Sequence, residues 1–494
     1  MKTALISRPP DKRLLERGQL FIDRLAERRT CILLKLSSDW NEEMGFGRWL
    51  GNKKVSLDWL TEQSLLPIKS DDTLLGRHVL SIQDSSSIGF QRGVGRKKGL
   101  EFVGTSGERP GFIIHPNLLL DAGDGRCLGV GALSVFDEWV AKGGKEAVRQ
   151  LETEEKKTGR WIQAGKSVRA CLQNARMLTH IADREADFYE MLLEFGQNRQ
   201  ENEHLIVRVN EDRLLGHMEG RGKAKYGPKP DEKTQTGADV EITFPYRSLL
   251  SQLVKRLPVQ AIWTLHLPAT PKRLARDARV ELRYARNVPL RRPSKLYQRT
   301  YQGKLLPFFI YVNVVDLVEI LQPGASHPPV HWRIYTSHPL QNLEQAQQVI
   351  QWYCWRWKIE LLFASVKSSG LDLEFAQIEH GEKLKKLAIL VIMADVQVIQ
   401  LLQARDGASQ QTILDCFSQH DVELLQKLNP KLEGNTLKQK NPHPPDSLAF
   451  ATWVIARLGG WKGLKSQRPP GIKTISRGLL AFFQIKNATA FLDN

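Results

Sequence analysis

Apolar and polar positions change their period several times along the chain, and each change marks a new element. Over residues 11–36 ("DKRLLERGQLFIDRLAERRTCILLKL") and 55–66 ("VSLDWLTEQSLL") apolar residues recur at helical spacing between basic and polar ones, which predicts helices over residues 1–70. Short apolar runs follow. "HVLSIQD" runs into Asp84, and "GFIIHPNLLLD" and "RCLGVGALSVFDEW" read as an antiparallel pair joined by Gly-rich turns. The charged stretch 146–165, "EAVRQLETEEKKTGRWIQAG", reads as a helix and "RMLTHIAD" as a strand ending at Asp183. "READFYEMLLEF" is then predicted helical and "HLIVRV" a further strand.

Between 210 and 340 the segments "DVEITFPYR", "AIWTLHLPA", "ARVELRYAR", "LLPFFIYVNVV" and "VHWRIYTS" alternate at period two, with basic, Pro-rich and Gly-rich connections. They predict a mainly β insertion. A helix over 343–369 comes next, with Asn342 and Gln345 placed as a capping box and Gly370 as its stop. Residues 371–494 are helical again, broken by the polar linker "NTLKQKNPHPPDS". Three strands, a helix, a strand, a helix and a strand is the order of a ribonuclease-H-like core. The expected fold is therefore α/β: a helical region 1–70, a ribonuclease-H-like catalytic domain 71–370 interrupted at about 210–340, and a helical region 371–494.

Composition narrows the partner. Lys plus Arg number 71 against 54 Asp plus Glu, a net charge of +17. An excess of that size favours a polyanion such as nucleic acid, because it attracts phosphates and releases their counterions. The charge is spread over clusters at 92–98, 221–233, 272–295 and 462–477, so it is no basic tail. Five widely spaced cysteines without a CxxC supply neither a disulfide framework nor a metal–thiolate site. The N-terminal stretch lacks the apolar core of a signal peptide, and the longest apolar run, Leu387 to Ala394, is too short to span a bilayer. A cytoplasmic protein with no membrane partner is expected.

The candidate chemistry centres on "YCWRWKIELLFASVKSSG", residues 353–370. At about 100° per residue, Tyr353, Arg356, Glu360 and Lys367 fall within roughly 60° of a helix surface, with Trp355, Ile359, Leu362, Phe363 and Val366 on the neighbouring arc. Alone, this is an amphipathic helix with a salt-bridged face. Two more carboxylates, Asp84 and Asp183, each stand at the end of an apolar strand. Singly they read as turn formers or helix caps. If their strands are neighbours, three acidic groups converge with Glu360, and such hard oxygen ligands suit two Mg²⁺ ions (or Mn²⁺ in their place) roughly 4 Å apart.

These residues resemble the bacterial insertion-sequence transposases of the DDE class, in the branch with the YREK signature. Tyr353, Arg356, Glu360 and Lys367 match the spacing of that signature without a gap. "SIQDSSSIGF" and "IADREADFYE" are similar to the segments around the family's two Asp residues, and "GRWIQA", "HPPVHWRIYTS" and "LGGW" also resemble family segments. The resemblance implies Asp84, Asp183 and Glu360 as catalytic metal ligands in cut-and-paste transposition through a DNA hairpin. It implies DNA contacts from Tyr353, Arg356 and Lys367, from Arg208, and from Trp332 and Trp357 as a pocket for an unstacked base. Transposon inverted-repeat ends and target DNA would be the partners of a homodimer, paired through 371–494. Asn210 and Ala364 stand where that pattern expects cations. The competing expectations are a non-catalytic DNA-binding inhibitor of transposition and a ribonuclease-H-like nuclease or resolvase. Intact carboxylates argue against the first, and the β insertion with the C-terminal helices argues against the second.

Overall fold

A computed structural model describes residues 11–69, 74–90, 94–104, 109–138, 151–216, 218–219, 225–226, 234–235, 241–242, 248–267, 275–322, 327–464 and 467–492. Most of the predicted strand 239–247, most of the basic run 221–233 and residues 146–150 of a predicted helix lie outside that set.

Eleven strands form one mixed sheet: β1 (His78–Gln83), β2 (Ser86–Gly89), β3 (Glu101–Val103), β4 (Arg109–Asp121), β5 (Cys127–Phe136), β6 (Met177–Ala182), β7 (Glu203–Arg208), β8 (Ala261–Leu267), β9 (Arg276–Arg291), β10 (Phe309–Glu319) and β11 (His331–Thr336). The spatial order is β8-β9-β10-β11-β7-β6-β1-β4-β2, with β3 and β5 also pairing β4. Strands β1, β6 and β7 are parallel, and β1 is antiparallel to β4. The three parallel strands are buried almost throughout, which explains their near-continuous apolar sequences. Pro116 sits inside β4, where it has no N–H to give. The pairing with β5 slips in register between Pro116 and Leu118 to accommodate it.

Residues 210–340 supply strands as expected, but β8 to β11 do not make a sheet of their own. They extend the main sheet, because β11 takes the free edge of β7, with Ile334 opposite Arg208. Pairing removes an exposed row of backbone donors and acceptors. Strand β8 is the new edge, and it alternates half-buried and exposed residues accordingly.

The helices are α1 (Lys12–Arg28), α2 (Leu33–Leu36), α3 (Trp40–Gly51), α4 (Leu57–Lys69), α5 (Gly159–Cys171), α6 (Tyr189–Leu192), α7 (Leu250–Arg256), α8 (Leu343–Trp355), α9 (Lys358–Ala364), α10 (Gly381–Ala404), α11 (Gln419–Leu432), α12 (Leu448–Leu458) and α13 (Ile472–Leu492). Helix α5 starts later than the charged stretch 146–165 suggests, after a short 3-10 turn at Thr153–Glu155. The helix predicted after Asp183 is broken into a 3-10 turn at Arg184–Ala186, α6 and a π turn at Leu193–Gln197.

One apolar core joins the N-terminal helices, one face of the sheet and the C-terminal helices. A second core lies under α5 and α6 on the other face. Arg29 ends α1 in the left-handed region and forms a buried ion pair with Asp395 of α10, while its Nε donates to Ser476 Oγ of α13 at 3.0 Å. Removing either partner would strand a buried charge, so this contact ties residues 11–69 to the C-terminal helices. Helix α10 is long and apolar enough to cross a membrane, yet most of it is buried inside the chain. Within the region 371–494 expected to pair protomers, the apolar run Leu387 to Leu402 thus spends most of its apolar surface on this chain's own core.

Candidate functional site

Strands β1 and β6 lie side by side and parallel, so the residues that follow them, Asp84 and Asp183, emerge at the same edge of the sheet. Helix α8 reaches that edge from across the sheet. Arg356 Nη1 lies 2.9 Å from Asp84 Oδ2, and Nη2 lies 3.4 Å from Asp183 Oδ2. Tyr353 donates its hydroxyl to Asp183 Oδ1 at 3.3 Å, and Arg208 at the end of β7 approaches the same oxygen at 3.9 Å. Five residues drawn from four distant segments thus meet at one point.

The predicted continuous helix 343–369 is not continuous. Asn342 Oδ1 caps α8 by accepting from Gln345 N at 3.0 Å, but Gln345 reaches back to Gln341 N (2.7 Å) rather than to Asn342. Helix α8 stops at Trp355, a turn occupies Arg356–Trp357, α9 begins at Lys358, and residues 365–369 widen into a π turn. Tertiary contacts set the break. Arg356 is drawn to the two Asp residues, and Lys358 Nζ donates to Gly125 O and lies over the Trp355 ring. Trp352 Nε1 donates to Ala122 O at 3.0 Å, so both helices grip the β4–β5 turn. Gly125 has a positive φ of 72°, and a Cβ there would stand 2.7 Å from Lys358 Nζ and from the Trp355 ring. Only glycine fits that turn.

The single polar arc expected from the sequence is therefore split. Tyr353 and Arg356 are 1% and 3% exposed, Glu360 is exposed, and Lys367 is half-buried. Trp332 is only 7% exposed and stands edge-on to Tyr353, with ring centroids 5.6 Å apart. In this position it is a core residue. Trp357, 37% exposed with the Arg356 guanidinium 5.3 Å from its ring, is the aromatic open to solvent.

Burial raises the Asp84 carboxyl to about 6, and the charges of Glu360 and Asp183 add to that rise against the pull of Arg356. Glu360 is thus close enough to act on Asp84. Burial, then the charge of Asp183, pushes the Tyr353 hydroxyl up to about 12, which keeps it a neutral donor. Arg356 stays firmly cationic: burial opposes its charge, and Tyr353, Asp183, Asp84 and Glu360 more than offset that. Burial lowers Lys367 despite Glu374 and Glu360 nearby.

A supporting layer escaped the sequence reading. Ser85 Oγ accepts from Arg160 Nε at 3.0 Å and lies 2.8 Å from His115 Nδ1, while His115 Nε2 lies 3.2 Å from Gln83 Oε1. A chain of donors follows from these contacts: the hydroxyl donates to Nδ1 and Nε2–H donates to the Gln83 carbonyl. Burial depresses His115 to about 3, which agrees with a neutral ring. Arg160 also donates to Glu185 Oε2 at 3.0 Å and feels the charge of Asp84. The sequence signal was present in "GRWIQA", the segment that holds Arg160.

Asp84 and Asp183 turn hard oxygen donors toward one cationic group, the donor chemistry that Mg²⁺ or Mn²⁺ requires. Among the described residues no cluster of three or more His, Cys, Asp or Glu is assembled for a metal, since Glu360 stands at the rim. The two Asp residues supply oxygen donors of the kind a divalent cation takes, and the charge of Glu360 on α9 is felt at Asp84. A scan of the chain against known protein-family models finds no match.

Proposed function

We propose that this chain is a DDE-class DNA transposase with a ribonuclease-H-like core, which cleaves transposon ends and joins them to target DNA through a hairpin intermediate. The observation that carries this reading is the meeting of Asp84, Asp183, Tyr353 and Arg356 at the ends of two adjacent parallel strands. The strand order β5-β4-β1-β6-β7 supports it, with the first three antiparallel and the last three parallel. The charge of +17 supports a DNA partner.

Divalent metal on Asp84, Asp183 and Glu360 would supply the activated water or 3′ hydroxyl and offset charge building on the phosphate. The chain's own residues do the rest. Arg356 and Arg208 are fixed-charge donors suited to hold a phosphate beside the carboxylates, and neutral Tyr353 adds a hydroxyl. Lys367 extends that cationic edge from the π turn. Trp357 is the ring placed to stack on an unpaired base, with Trp332 joining it only if the core around Tyr353 opens. Two protomers would act on paired ends in the bacterial cytoplasm, through surfaces other than the buried apolar face of α10.

The test is cleavage of candidate end DNA in Mg²⁺ by the pure protein and by Asp84→Ala, Asp183→Ala and Glu360→Ala. Each variant is expected to lose more than ~10²-fold in strand cleavage while retaining end binding. Undiminished cleavage by Asp183→Ala sinks the assignment.

A further inference from the structure

One cation, Arg356, already bridges the two acids where they converge, with Arg208 beside Asp183 at 3.9 Å. Arg356 Nη1 and Nη2 contact Asp84 Oδ2 and Asp183 Oδ2 at 2.9 and 3.4 Å. The other oxygen of each carboxylate already accepts a backbone N–H, Asp84 Oδ1 from Ser85 N and Asp183 Oδ1 from Arg184 N at 2.8 Å each, so Arg356 holds the two oxygens that a divalent metal on these residues would have to share. A guanidinium and a dication cannot occupy them together, because they compete for the same lone pairs and repel one another. The guanidinium also has capacity to spare. Its Nε–H is buried with no hydrogen-bond partner, so the five-donor fork is incompletely satisfied by the carboxylates. The solvent-facing ring of Trp357 lies beside it, so the open side of the site adjoins the arginine. Drawn outward past Trp357, the guanidinium would offer a phosphate both that unspent donor and a planar fork suited to bidentate contact.

We infer that Arg356 guards the metal site: in the DNA-free protein it occupies Asp84 and Asp183, and it releases them to divalent metal when a DNA phosphate takes its guanidinium. The inference rests on the metal and DNA roles proposed above. Its consequence is reciprocal linkage, in which DNA tightens metal binding and metal tightens DNA binding by the same factor. Without DNA the carboxylates stay in the arginine's hands, which limits stray nicking by free protein.

The test measures Mn²⁺ bound to the full chain, by electron paramagnetic resonance of free Mn²⁺, for the parent, Arg356→Gln and Asp84→Asn. Glutamine keeps the hydrogen bonding and removes the charge. Without DNA, Arg356→Gln is expected to bind Mn²⁺ about tenfold more tightly than the parent, within the usual range of coupling between sites. A blunt DNA duplex of random sequence, with its own Mn²⁺ subtracted, should tighten the parent by a similar factor and barely change Arg356→Gln. Equal or weaker binding by Arg356→Gln, with binding lost in Asp84→Asn, overturns the guard and leaves the metal site standing. Mn²⁺ binding that Asp84→Asn does not alter overturns both. If Arg356→Gln does not fold, the parent decides alone: a Mn²⁺ affinity indifferent to the duplex refutes the guard.

Discussion

The two ends of the parallel strands β1, β6 and β7 handle their enclosed polar groups in opposite ways, the acids at one end being half-buried and the histidines at the other buried or half-buried. At their C-terminal ends Asp84 and Asp183 keep company with Arg356 and Arg208, and charge is retained because opposite charge crosses to it from another element. At their N-terminal ends a cavity of ≈ 680 Å³ is lined by His78 of β1, His204 of β7 and His338 just after β11. There His204 stacks on His338 at 4.0 Å, and Thr179 Oγ1 bridges His78 Nε2 and His338 Nε2 at 2.8 Å each. Burial holds His78 and His204 down to about 4 and His338 well below the usual range. Helix α8 spans both ends, with Trp352 against His78 and His338 and Arg356 beyond its last turn on the acids. At these two ends, charge is kept where opposite charge meets it, and the polar groups without such a partner stay neutral.

Exchanging the two ends gives the largest effect. Asp183→Ala is expected to lose more than ~10²-fold in Mg²⁺-dependent cleavage. His338→Asn, measured in the same assay at pH 7.5, should stay within about twofold. A comparable loss in both variants would mean that the histidine end takes part in the chemistry and the contrast is false.

The histidine end should instead reveal itself in stability. The groups facing the cluster are Arg176 and Arg199, which oppose protonation, and Asp121 and Glu203, which favour it. The folded pKa values lie below the unfolded value, so the neutral clusters contribute fully above pH 6.5. That contribution is lost as pH falls from there through about 4. Each histidine that must stay neutral costs about 1.4 kcal/mol per pH unit over that window. Thermal melts from pH 7.5 to 4.5 should show a steep fall in Tm that His338→Asn makes shallower. A parallel slope in the variant would place the acid sensitivity elsewhere.

Arg160→Ala comes next, with an expected loss of about tenfold in cleavage through misplacement of Ser85 and Asp84. Arg160→Lys should recover part of the rate if charge near Asp84 matters. No recovery by lysine would point to the donor chain through Ser85 and His115 alone.

Much of the sheet was legible because its signal is local. "HVLSIQ" and "MLTHIA" are buried strands whose ends declare themselves through the acid that follows. The pair Asp84 and Asp183 and the spacing from Tyr353 to Lys367 could be read for the same reason. What stayed hidden was decided by distant partners. The break at Arg356–Trp357 depends on Asp84, Asp183 and Gly125, none of them near in sequence. The extension of the sheet by β8 to β11 depends on β7 having a free edge. The π turn at Leu193–Gln197 carries Glu194, which is held by Arg169 at 2.8 Å and Tyr301 at 2.9 Å. Helix periodicity contains none of these.

Lys367 carries the smallest expected effect and the finest test of the charged end. On a regular helix it would share an exposed arc with Arg356. In the π turn it is half-buried, with Glu374 and Glu360 as its nearest charged influences. A half-buried lysine that already feels two carboxylate charges has less to offer a phosphate than one free in solvent. Lys367→Ala should lower the slope of log affinity against log salt for cleaved ends by at most about one phosphate equivalent. Arg356→Ala should lower it by about as much and also weaken cleavage. If Lys367→Ala leaves the salt slope unchanged but reduces Mn²⁺ binding, the lysine acts by holding Glu360 near the carboxylate pair. The charged end would then extend its matching of opposite charges to the third acid as well.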